Sequence, residues 1–162
     1  MLWAVLEGLG LGVLLILYCL IGIKDGAVGM VHLYDKKVQK RCVELGLTTP
    51  EKIKKRAKSF KAVGMLCYVA YALVFVYAVN GARGFAQGFL QILILLFVCN
   101  VIDRILVDEL WVCHTKAWVI PGTEDLMPYI RKKDKIRKWI FGTAGIAVIS
   151  AVLAGVAALV LK

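Results

Sequence analysis

Apolar residues in this chain gather into four long runs separated by blocks rich in Lys and Arg. Such runs show neither the alternation of a half-buried strand nor the single stripe of a soluble helix. Leu2 to Ile23 carries one charged residue, Glu7, and Phe60 to Val79 carries only Lys61 near its start. Phe85 to Ile102 and Trp139 to Leu161 carry none. At a rise of roughly 1.5 Å per residue, a helix needs about 20 apolar residues to cross a ~30 Å hydrocarbon layer. The pattern therefore predicts an all-α integral membrane protein, a four-helix bundle forming one domain over 1–162. Its spans are expected at 2–23, 60–79, 85–106 and 139–161. The first run lacks a positive n-region and an A-x-A ending, and it contains Glu7, so it is expected to be a membrane helix rather than a cleaved signal.

The segments between the runs have their own periodicity. Val31, Tyr34, Val38, Cys42 and Leu45 recur at three and four, beside Lys36, Lys37, Lys40 and Arg41, which predicts a basic amphipathic helix. Gly46 suits a left-handed helix stop. In Thr48-Thr49-Pro50-Glu51, either Thr48 and Glu51 form a capping box or Thr49 caps with Pro50 at the first helical position. The region 27–59 thus reads as a basic helical hairpin, with Ile53, Ala57, Phe60 and Gly64 carrying one face onward into the second span. Asn80-Gly81-Ala82-Arg83-Gly84 makes a tight turn into the third. In the connection over 114–138, Pro121-Gly122 predicts a turn, Thr123 a cap, and Glu124 and Asp125 a helix first turn.

Helix contacts have weaker signals. Ala4, Gly8 and Gly12 form a small-residue ridge on the first span, and Ala147, Ala151 and Gly155 another on the fourth. Such ridges let backbones approach in lipid. The two could face each other, or one could join copies in a homo-oligomer or larger membrane complex.

Composition adds direction. The 162 residues are 60% hydrophobic, too apolar to cover a soluble core, and 21 Lys+Arg against 11 Asp+Glu give a net charge of +10. The basic residues flank the apolar runs, which points to anionic lipid headgroups as partners and not to nucleic acid. The expected lipid contacts are Lys36, Lys37, Lys40, Arg41, Lys52, Lys54, Lys55, Arg56, Lys132 and Lys133. Because the long connections hold nearly all Lys and Arg, the positive-inside rule places them in the cytoplasm and both termini outside a plasma membrane. Cys19, Cys42, Cys67, Cys99 and Cys113 include no C-x-x-C pair and no shared ligand spacing, so neither a disulfide framework nor a metal or other cofactor is expected.

Candidate chemistry concentrates at the basic end. Asn100 and Asp103 share a face at spacing three, and Arg104 and Asp108 have the spacing of an ion pair. Glu109, His114, His32 and Asp35 complete a carboxylate–histidine layer. At the other end lie Glu7, Gln87 and Gln91, where Glu7 needs a partner such as Arg83 or a Gln amide, or access to interfacial water. Phosphate-loop, dinucleotide, nucleophile-elbow and H-E-x-x-H motifs are absent. Two functional readings stay open. One is an accessory or regulatory protein acting through helix and anionic-lipid contacts. The other is a membrane enzyme or ion-coupled carrier for a lipid or small amphiphile, with Asp103, Asp108 or Glu109 holding a cation or proton and a histidine as acid–base partner.

Overall fold

A computed structural model describes residues 1–160 of the chain. Its architecture is all-helical. Four helices are long and apolar enough to cross a membrane: α1 (Leu2–Gly22), α3 (Pro50–Val79), α4 (Gly84–Val112) and α5 (Lys132–Val160); a short α2 (Lys36–Glu44) lies between the first two. The expected end of the last span at Leu161 falls outside the described residues. At 30, 29 and 29 residues, α3, α4 and α5 are each longer than a bilayer core requires, so they run on into the basic end.

Local chemistry explains the boundaries. Asp35 caps α2 by accepting from Lys37 N–H at 3.4 Å. The helix ends where Gly46 adopts φ +70°; Leu47 N–H then reaches the Cys42 carbonyl and Gly46 N–H the Val43 carbonyl, each at 3.0 Å. A side chain would strain that left-handed residue, hence glycine. Thr49, not Thr48, caps α3, taking Lys52 N–H at 3.3 Å with Pro50 in the first turn.

Packing in the membrane region centres on α4, which lies along both α1 and α5. The α1 ridge is used here: Ala4, Gly8 and Gly12 are buried, and a Cβ on Gly8 would stand 2.7 Å from the Leu95 carbonyl oxygen and from Val98 Cβ. The ridge therefore seats on α4, not on the fourth span. On α5 the buried small residues are Ser150, Ala154 and Ala157, whereas the Ala147–Ala151–Gly155 row expected to pack is only half-buried. Helix α3 is held much less closely and buries only Ile53, Ala72 and Val76.

At the basic end the two connections build a cap with its own core. Tyr34, Val38 and Cys42 pack with Trp118, Ile120, Tyr129 and Ile130. The apolar stripe is thus buried on protein from Val31 to Cys42, while Leu45 at its end is exposed. Thr123 is internal to this cap: it stands at the N-cap position of a short 3-10 turn, Glu124–Leu126, as expected, but its side chain makes no capping bond. It donates to the Ile120 carbonyl at 2.9 Å and shares a 2.7 Å hydrogen bond with the Tyr129 hydroxyl, which also accepts Ile120 N–H at 2.9 Å. Arg41 ties α2 to the same loop through the Gly122 carbonyl and the Asp125 carboxylate, each at 3.4 Å.

Candidate functional site

The chemistry at the basic end depends on a change in helix pitch. From Asp103 to Val112, α4 widens into i→i+5 hydrogen-bonded turns. Residues five apart lie roughly 140° from each other around an α-helix. In the wider turn of an i→i+5 helix they come to share one face, much as residues four apart do in an α-helix. Asp103 and Asp108 consequently line the same chamber.

That chamber has a volume of about 250 Å³ and sits where α1, α3, α4 and α5 meet the cap. Asp103 and Asp108 supply its carboxylates, Lys138 of α5 its ammonium, and Tyr18, Tyr34 and Tyr68 much of its wall. Trp118 lies on the side toward the cap. The Lys138 ammonium donates to Asp108 Oδ2 at 2.6 Å, and Asp108 is only 8% exposed. Among the described residues Asp103 has no ion-pair partner. Burial pushes the Tyr34 phenol above its ordinary range, so it stays a neutral hydrogen-bonding group at physiological pH.

Loose packing of α3 opens a way to this chamber. On one side an apolar groove of about 340 Å³ lies between α3, α4 and α5; it shares Phe60, Gly64, Tyr68 and Asp103 with the chamber. On the other side, a groove of about 380 Å³ between α1 and α3 shares Leu15, Tyr18, Gly64 and Tyr68. All three spaces meet at Gly64 and Tyr68. Nothing lies within 4 Å of where a Gly64 side chain would start.

The remaining candidate residues are distributed away from this centre. Arg104 does not pair with Asp108: its Nε donates to Asn100 Oδ1 at 2.8 Å and its guanidinium lies 5.2 Å from the Trp139 ring centroid. Glu109 pairs with Lys135. His114 is exposed and contacts the Glu109 carbonyl through Nδ1 at 2.6 Å. Asp35 is occupied as the α2 cap. His32 belongs to a separate cleft, its ring edge-on to Phe60 at 5.1 Å. Burial, with Arg56 and Lys61 nearby, holds its imidazole below the usual range.

At the opposite end Glu7 is 8% exposed, so it does not rely on interfacial water. Its partner is Asn80, whose amide donates at 3.0 Å to Glu7 Oε2 and to Gln91 Oε1. Arg83 instead uses its backbone N–H, donating to Gln87 Oε1 at 3.0 Å. This arrangement satisfies a buried carboxyl and closes the turn between α3 and α4, which is a structural role.

Tyr68 and Lys138 were not singled out by sequence, and Gly64 stood out only as part of a helical face. Lys138 was one of many basic residues, and only the register of α5 against the widened α4 distinguishes it. No protein-family model, curated protein or solved structure matches the chain.

Proposed function

We propose that this multi-pass protein binds a lipid or other amphiphile, with the polar head in the chamber at Asp103 and Asp108 and the hydrocarbon in a groove beside α3. The observation that carries this reading is the junction of a polar chamber with two apolar grooves at Gly64 and Tyr68. A head and a tail need neighbouring spaces of these two kinds. With Lys138 engaged by Asp108, Asp103 is left without a counter-ion, so the head that suits the chamber is a cation such as an amine. Aromatic walls favour the same charge. Binding is better supported than catalysis, because His32 and His114 lie outside the chamber and leave its carboxylates without an imidazole partner.

Quenching of tryptophan emission by a bromine-tagged long-chain amine tests this, since Trp118 borders the chamber. Asp103→Asn is expected to weaken binding roughly tenfold, the usual worth of a charge-assisted hydrogen bond. Equal affinity of wild type and variant would sink the reading. If a bromine-tagged alcohol of the same length binds as tightly, the amine assignment fails while amphiphile binding stands.

The accessory reading, through contacts with anionic lipid, is favoured by a different observation. Lys36, Lys37, Lys40, Lys52, Lys54, Lys55, Arg56, Lys132 and Lys133 are all solvent-exposed at one end of the bundle. In the orientation we propose, this end faces the cytoplasm. Cys42 is 0% exposed and would be silent to thiol reagents. Lys54→Cys and Arg83→Cys place a thiol at an exposed position at each end. In intact cells a membrane-impermeant maleimide should modify the second and spare the first; the reverse pattern would invert the topology.

A further inference from the structure

Independently of the chamber, a second cleft of about 600 Å³ opens where α1 ends, bounded by the turn Ala27–Leu33 and the first turns of α3. Lys52, Lys55, Arg56 and Ser59 recur at three and four, so they share one face of α3, and all four line this cleft. The opposing wall comes close because Gly22 and Gly29 pack backbone to backbone: a Cβ on Gly29 would collide with the Gly22 carbonyl and lie 3.4 Å from Arg56 Nη1. Three cations thus face one carboxylate, that of Asp25. Among the described residues, none of the three cations has an ion-pair partner. His32 also borders the cleft, with its ring nitrogens buried beside the Gly29 backbone.

The cleft is also amphipathic. Ile21, Met30 and Phe60 line it beside the charged groups, and Phe60 opens the apolar run of α3 one turn beyond Arg56. Its depth is therefore that of the headgroup layer, where the phosphate of a lipid meets glycerol and acyl carbon.

We propose that this cleft is a defined binding site for the phosphate headgroup of one anionic phospholipid. Lys52, Lys55 and Arg56 hold the phosphate oxygens, and the apolar wall takes the start of the acyl chains. Arg and Lys converging on a phosphate make charge-assisted bonds that a diffuse surface charge does not. Lys54 and Lys58, on the same helix but outside the cleft, contribute only to the general field.

That contrast supplies the test. The full-length protein in neutral detergent is titrated with phosphatidylglycerol, and the lipid retained per chain is counted by native mass spectrometry. Salt is held at about 0.5 M, where charges more than about 4 Å apart are largely screened. Lys52→Gln/Lys55→Gln/Arg56→Gln is expected to lose about 100-fold in affinity for the first lipid, while Lys58→Gln/Lys116→Gln/Arg131→Gln, exposed residues outside the cleft with the same charge change, stays within about threefold of wild type. Asp25→Asn, which removes the opposing carboxylate, is expected to bind several-fold more tightly. This gain cannot come from misfolding. Equal losses in the two triple variants, or no retention by the wild type, would overturn the site. So would equal retention of phosphatidylcholine, or complete displacement of phosphatidylglycerol by millimolar inorganic phosphate.

Discussion

Trp118→Ala is expected to lower the unfolding free energy by about 3–5 kcal/mol, the range for truncating a large buried aromatic. The indole is 1% exposed and stands edge-on to Trp111 at a centroid distance of 5.1 Å. Its backbone carbonyl accepts from the Tyr34 hydroxyl at 3.5 Å, so the side chain and main chain both join the two connections. Indole Nε1 has no hydrogen-bond partner, which means that truncation removes packing alone. The residue borders the chamber as well, and its loss would leave a void open to that space, which the cap could close only by moving Tyr34 and Ile130. Trp118→Phe, retaining part of the volume, should cost less than half as much. The measurement is denaturation in mixed micelles; a loss below about 1 kcal/mol for the alanine variant would show that the cap is not close-packed.

The same residue marks the division between what sequence revealed and what it concealed. The four membrane helices were legible because length and freedom from charge are one-dimensional properties, and Leu2–Ile23 or Phe85–Ile102 carry them openly. Helix ends were legible at Gly46 and at Thr49-Pro50, where the deciding chemistry is local. The α2 stripe was also correctly periodic, but periodicity gives a face and not its neighbour. Val38 and Cys42 meet Trp118 and Ile120 only through the tertiary fold.

The candidate site was half legible for a related reason. Asp103 and Asp108 stood out as carboxylates beside an apolar run, yet α-helical spacing sets them on different faces and instead joins Arg104 to Asp108. The widened turns of α4 reverse that choice. Arg104 turns back to Asn100, which lies in the α-helical part where spacing four still holds. No residue type announces such a change of pitch. The grooves were equally hidden, since they follow from α3 packing less closely than α1 and α5 around α4.

Lys138→Met is expected to destabilise the protein by roughly 3 kcal/mol, the lower end of the range for removing one partner of a buried ion pair. The lower end applies because the Lys138 side chain is 41% exposed and keeps part of its hydration, whereas the Asp108 side chain is 12% exposed and would be left charged in a poorly solvated place. The methionine stem preserves much of the lysine packing, so the loss isolates the charge. Asp108→Asn in the same background should restore most of the stability, because a neutral amide no longer needs the ammonium. A double variant as unstable as Lys138→Met alone would mean that lysine packing, and not its charge, holds α5 to α4. The same pair of variants bears on the chamber. Lys138→Met leaves both carboxylates without a cation and should draw the amine probe more tightly even as the fold weakens, whereas the double variant, with Asp103 as the remaining carboxylate, should bind it about as well as wild type. Opposite movement of stability and affinity in one variant, cancelled in the other, is the result expected if Asp103 and Asp108 share one electrostatic site across five residues of widened helix.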